Sequence, residues 1–209
     1  MIEKEAMYKL TYGLFVLTTK DGKDNGCIVN TVSMITDNPK RITVYVNKAN
    51  YTEEIIRKTG IFNVSVLTEK TPFEVFKKFG FASGRDVDKI VVGEYPTSEN
   101  GLTYIPDCSN AFLSAKVVGT HDYGTHTLFV AEVTEGKVLS SEKSVTYEYY
   151  LENIKTKPQP APAADNNGSG SVEKWVCKIC GYEHEGPLPA DFVCPWCKHG
   201  AEDFERVNG

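Results

Sequence analysis

The chain has 209 residues, of which 41% are hydrophobic and 24% charged, with a formal net charge of -5. This is the composition of a globular protein with room for one ordinary domain and a small second one. The acidic balance, without any Lys/Arg cluster, excludes a basic nucleic-acid-binding face, and no apolar run approaches the roughly 18 residues of a membrane span.

In chain order, the first expected element is a helix over residues 3–12, stopped by Gly13. Its charged start, MIEKEAMYK, lacks the apolar core of a signal peptide. A cytoplasmic location is therefore expected, where thiols stay reduced. Strands follow at 14–19 and 27–35, with Asp21-Gly22 and Asn25-Gly26 as turn punctuation between them. A third strand at 42–47 leads through Asn47, Lys48, Ala49, Asn50, Tyr51 and Thr52 into a helix over 52–59, closed by Gly60. A strand at 61–67 precedes a helix that opens at Thr71-Pro72 and ends at Gly80. Strands at 111–120 and 127–135 and a closing helix over 144–154 complete the set. Six β-branched and aromatic strands with few helices predict a mainly β fold, closed as a barrel to remove exposed edges.

Composition then breaks. Residues 155–171, KTKPQPAPAADNNGSGS, hold almost nothing that packs and read as an interdomain linker reaching ~20–30 Å as a coil. The expected organisation is a domain at 1–154, this linker, and a small domain at 172–209.

Within the small domain, Cys177-Lys178-Ile179-Cys180 and Cys194-Pro195-Trp196-Cys197 form two CxxC knuckles with thirteen residues between them. Each knuckle aims two sulfurs at one point, so the four thiolates make a closed tetrahedral metal site. Thioredoxin-type dithiols would need a βαβ context that is lacking here. Four sulfurs suit iron and zinc equally, and spacing leaves the two readings level. Trp175, Tyr182, Phe192, Trp196 and Phe204 are expected to shield the metal from water, or simply to form a small core, or to do both. Cys27 and Cys108 are expected to be buried small hydrophobes.

Those knuckles, with Gly181-Tyr182, Gly186, Pro189 and Asp203-Phe204-Glu205, resemble a rubredoxin domain of the short-spaced type found in rubrerythrins. The resemblance implies one iron per chain on Cys177, Cys180, Cys194 and Cys197, cycling between ferric and ferrous. One departure is Lys198, where that family usually has Gly.

The large domain has no GxGxxG and no Walker-type loop, which excludes a Rossmann dinucleotide site. Asn30, Thr31 and Ser33 are polar positions in an apolar strand. The helix start at Asn47–Thr52 offers N–H groups to a phosphate, or is plain capping. Ser83-Gly84-Arg85 and Asp88-Lys89 put hydroxyl and cationic groups on a glycine-containing loop, or are simply solvated. With Lys9 to Gly13, Thr59-Gly60-x-Phe62, Phe79-Gly80 and Tyr149-Tyr150, residues 7–154 resemble the flavin reductase-like family, the FMN-binding split β-barrels. That likeness implies a homodimer with FMN between subunits and NADH or NADPH docking transiently on the ring. It assigns Asn30, Thr31, Val32 and Ser33 to the isoalloxazine. It assigns Asn47, Lys48, Ala49, Asn50, Tyr51 and Thr52, with Ser83, Arg85 and Lys89, to the ribityl phosphate. His126 is the catalytic candidate beside flavin or nicotinamide, or else a strand-start histidine with a satisfied hydrogen bond.

The whole chain resembles the high-molecular-weight rubredoxins of anaerobic bacteria, which are flavin reductase–rubredoxin fusions. This implies electron flow from NAD(P)H through FMN to iron and on to a flavodiiron protein reducing oxygen or nitric oxide. The alternatives are a flavin reductase that releases reduced FMN beside a structural zinc, and a non-enzymatic binding module.

Overall fold

The computed structural model describes residues 3–7, 9–155, 173–177, 182–194 and 200–207. It divides after Ile154 into two compact units, 1–154 and 155–209. Of the expected linker, all but Lys155 lies outside the described residues.

The first unit is one seven-stranded antiparallel sheet in the order β2-β1-β5-β6-β7-β4-β3. Its strands are β1 (Phe15–Asp21), β2 (Lys23–Val29), β3 (Val32–Asp37), β4 (Lys40–Asn47), β5 (Ile61–Leu67), β6 (Ser109–Asp122) and β7 (His126–Val138). The sheet curls until β2 touches β4, which makes it a split barrel. Alternation explains the interior. In β4, Ile42, Val44 and Val46 point inward and are buried, and join Leu17, Phe62 and Phe129 in the barrel core. In β1 both faces are covered, since Val16 joins a second cluster with Phe76 and Phe79 outside the barrel. This is why 14–17 reads as an unbroken apolar run.

Helix α2 (Tyr51–Thr59) packs on the barrel through Ile55 and Ile56. It ends at Gly60, whose φ of 72° is left-handed and whose N–H bonds to the Ile56 carbonyl at 2.8 Å. Helix α3 (Phe73–Gly80) buries Phe73, Phe76 and Phe79 in the outer cluster.

Four expectations are corrected. The first helix shrinks to α1 (Lys4–Met7), because Met7 and Leu10 stay 58% and 53% exposed and provide no packed face. The single strand at 27–35 is two strands, since β2 pairs with β1 while β3 pairs with β4. Asn30 and Thr31 are the crossing between them. Asn25-Gly26 is no turn but lies inside β2, with Thr18↔Gly26 and Thr19↔Asn25 in register. Gly26 serves close packing there, because a Cβ would meet the Leu17 carbonyl at 2.6 Å. The closing helix shortens to α4 (Tyr147–Tyr149) and a π turn at Tyr150–Ile154. Val145 is extended instead, its N–H bonded to Leu67 O at 2.9 Å, so strand pairing wins over helix there.

The second unit holds β8 (Lys174–Cys177), β9 (Glu183–Glu185) and β10 (Phe204–Val207) in a sheet ordered β10-β8-β9. Phe192 packs edge-on to Phe204 at 5.3 Å and against His184 at 4.5 Å.

Candidate cofactor site and metal centre

The C-terminal half of β4 gathers five of the predicted positions. Thr31 Oγ1 donates to the Tyr45 carbonyl at 3.1 Å, which ties the β2–β3 crossing to this strand. Val32 pairs with Val44, and Ser33 with Thr43, one step along. Asn47 sits opposite His126 across the β4–β7 ladder. His126 is partly buried, with Nδ1 2.9 Å from Thr125 Oγ1.

The chain then turns into α2. Asn47 Oδ1 accepts from Ala49 N at 2.9 Å, and Asn47 O accepts from Asn50 N at 2.9 Å. Asn50 is the N-cap in extended conformation, and its carbonyl accepts from Glu53 N at 3.0 Å. The first N–H groups of such a helix have no intrahelical partner and suit an anion. Lys48 is exposed and pairs with Asp122, which holds that carboxyl below its usual range.

The 83–89 loop comes to the same helix start. The Arg85 guanidinium lies 4.7 Å from the Tyr51 ring and 2.9 Å from Glu54 Oε2. Ser83 Oγ accepts from Arg85 N at 3.2 Å, which fixes the loop's turn. The two segments assigned to the phosphate therefore adjoin, 31 residues apart in sequence for Arg85 and Glu54.

Two members of the predicted set are committed inward. Thr52 is 1% exposed, and its hydroxyl accepts from Asn25 Nδ2 at 2.9 Å. That leaves its backbone N–H for a ligand. Lys89 is 5% exposed, and Nζ donates to Gly26 O at 3.1 Å and Phe79 O at 3.0 Å. It is neither solvated nor on the loop surface. Burial lowers its pKa, and burial likewise raises that of neighbouring Cys27.

Sequence reasoning missed Glu53. Its carboxylate is 2% exposed, accepts from Thr127 Oγ1 at 2.6 Å and faces Arg57 Nε at 3.3 Å. It lines a 350 Å³ cavity with Lys48, Arg57, Asp122 and Thr127. The i,i+4 pair with Arg57 reads in sequence as ordinary surface helix charge, and only the bond from Thr127, 74 residues away, shows that the carboxylate is buried.

In the second unit, Cys177 ends β8 opposite Phe204, and Cys194 follows the Val193↔Gly200 bridge. Both are 0% exposed. Cys180, Cys197 and Lys198 lie outside the described residues. The described half of the set fits a metal: two wholly buried soft sulfur donors come from separate segments, beside Tyr182, Phe192 and Phe204. Such donors suit one iron or one zinc, and the aromatic rings keep water away.

Known families match both units. Residues 7–157 match the flavin reductase like domain family, and 175–205 match the rubrerythrin, rubredoxin-like domain family. The chain belongs to the flavin reductase-like family and carries a rubredoxin-like domain behind it, so it is an electron-transfer oxidoreductase of two modules. It is 36% identical to the high molecular weight rubredoxin of Moorella thermoacetica, over 99% of this chain and 100% of that protein. The ferric-chelate reductase (NAD(P)H) of Archaeoglobus fulgidus is 38% identical over 77% of this chain and 96% of its own. Among solved structures, flavin reductase PheA2 aligns with a TM-score of 0.58 at 26% identity, covering 69% of this chain and 93% of its own. The Streptomyces globisporus NADH:FAD oxidoreductase SgcE6 aligns at 0.62 and 18% identity, over 68% and 83%, and shares the fold.

Proposed function

We propose that the protein passes electrons from NADH or NADPH through bound FMN to a rubredoxin-type iron, and from there to an external acceptor. The observation that carries this is one meeting point in the first unit. The start of α2, the Arg85 loop and the Asn47–His126 pair adjoin there, in a chain that also holds the four-cysteine set. When bound, flavin accepts the two electrons of a hydride together and delivers them singly, which is what a one-electron iron centre requires.

The chain's own groups then have definite tasks. N–H groups at Tyr51 and Thr52, with Lys48, Ser83 and Arg85, hold the phosphate. Asn30, Thr31, Val32 and Ser33 border the isoalloxazine, which leaves His126 beside the reacting ring. Lys89 serves from within, by holding the loop that carries Ser83 and Arg85. Cys177, Cys180, Cys194 and Cys197 hold the iron. A phosphate-sized set of donors favours FMN over FAD.

Edge strand β3 and its surroundings expose Met34, Ile35, Tyr45 and Tyr123. An open edge flanked by apolar side chains needs cover, which supports a homodimer at this face. The likeness to flavin reductase–rubredoxin fusions supports a flavodiiron protein as acceptor and a cytoplasmic location.

The test is the composition and colour of the purified protein. The expected result is one iron and one FMN per chain, with both absorption bands bleached by NADH under anaerobic conditions. Flavin together with stoichiometric zinc would overturn the reading.

A further inference from the structure

We infer that Asn25 is the positioning residue of the phosphate site, a buried brace that holds the start of α2 and the 83–89 loop together. This deepens the proposed function and rests on its placement of the flavin phosphate.

Asn25 is in the middle of β2 and 2% exposed. Its amide nitrogen donates to Thr52 Oγ1 at 2.9 Å, which fixes the second residue of α2 to the barrel wall. On its other side the loop lies directly against it. A Cβ built on Gly84 would stand 1.9 Å from Asn25 Oδ1, so only glycine lets the loop come this close. Flanking contacts hold the same loop to the same strand. Lys23 Nζ meets Asp88 Oδ1 at 2.6 Å, and Lys89 Nζ binds the Gly26 carbonyl at 3.1 Å. One short stretch of β2 therefore sets the distance between two segments that come from opposite ends of the α2–β5–α3 excursion. An asparagine is suited to this role, since one compact side chain offers both a donor and an acceptor.

A brace and a general core residue differ in what they change. Losing the brace lets the two phosphate-binding segments drift apart, while the isoalloxazine side near Thr31 and His126 stays in place. FMN binding should weaken, and binding of riboflavin, which lacks the phosphate, should not.

The experiment titrates flavin-free full-length protein with FMN and with riboflavin, following flavin fluorescence, with thermal melting as a folding control. The wild type is expected to prefer FMN. Asn25→Ala and Gly84→Ala should each reduce that preference about tenfold with riboflavin affinity within about twofold. The double variant should be no worse than Asn25→Ala, because removing Asn25 makes room for the new methyl group. Equal losses for both ligands, or additive losses in the double variant, overturn the brace. Arg85→Ala separates the two ideas. If Arg85→Ala reduces the FMN preference and Asn25→Ala does not, the brace alone is wrong. If the wild type shows no preference for FMN, the phosphate placement is wrong as well.

Discussion

Burial pushes the Cys108 thiol up from an ordinary 9.0 to about 11. Between those values the folded protein keeps a proton that the unfolded chain has released, so stability falls as pH rises from about 9 to about 11. In urea titrations at pH 8.5 and pH 11, Cys108→Ala should lose about 2 kcal/mol less than the wild type across that interval. Equal losses would show that Cys108 titrates normally. Glu53 is the second informative residue. Thr127→Val deprives its buried carboxylate of a 2.6 Å hydrogen bond and should cost about 1–3 kcal/mol, read as a shift in urea midpoint. How legible such residues are depends on where their partners lie. Cys108 was readable as a buried small side chain because free cysteines are among the most buried residue types. Lys89 read as a loop cation, since the two carbonyls that hold it belong to Gly26 and Phe79 and no local pattern reveals them.

Helix α2 was legible because its signals are local: Asn50 at the start, Glu53 and Glu54 in the first turn, Arg57 and Lys58 in the last, and Gly60 after it. Gly60→Ala forces a side chain into the left-handed region and should cost about 1 kcal/mol in thermal or denaturant unfolding. No loss would mean that the cap relaxes freely. Strand limits were harder to read. Asn-Gly marks a turn or a close approach with equal right, and only the β1–β2 register decides between them. The continuous run at 27–35 hid a change of pairing partner, because hydrophobic pattern reports burial and not which neighbour a strand bonds. In β5, Phe62 is wholly buried in the barrel core, and Phe62→Ala should cost roughly 3–5 kcal/mol.

At the scale of the whole molecule, the two-unit plan and the cysteine set were plain in the sequence, because a composition break and a CxxC spacing are both local features. The meeting of Arg85 with Tyr51 and Glu54 was not plain, since it depends on how the barrel folds the 83–89 loop back. The two-module account makes a direct demand on variants. Cys194→Ser should remove the iron absorption while leaving the melting of the first unit and NADH oxidation by bound FMN largely intact. Loss of both functions in a protein whose first unit still melts cooperatively would contradict it.

The central claim is that electrons enter only at the flavin and leave through the iron. It is tested most directly by mixing iron-loaded, flavin-stripped protein with NADH without oxygen and following the iron absorbance before and after FMN is added. The account predicts an unchanged ferric spectrum without FMN and full bleaching once FMN is restored. Bleaching by NADH in the absence of flavin, or iron that stays ferric while the flavin is reduced, would contradict it.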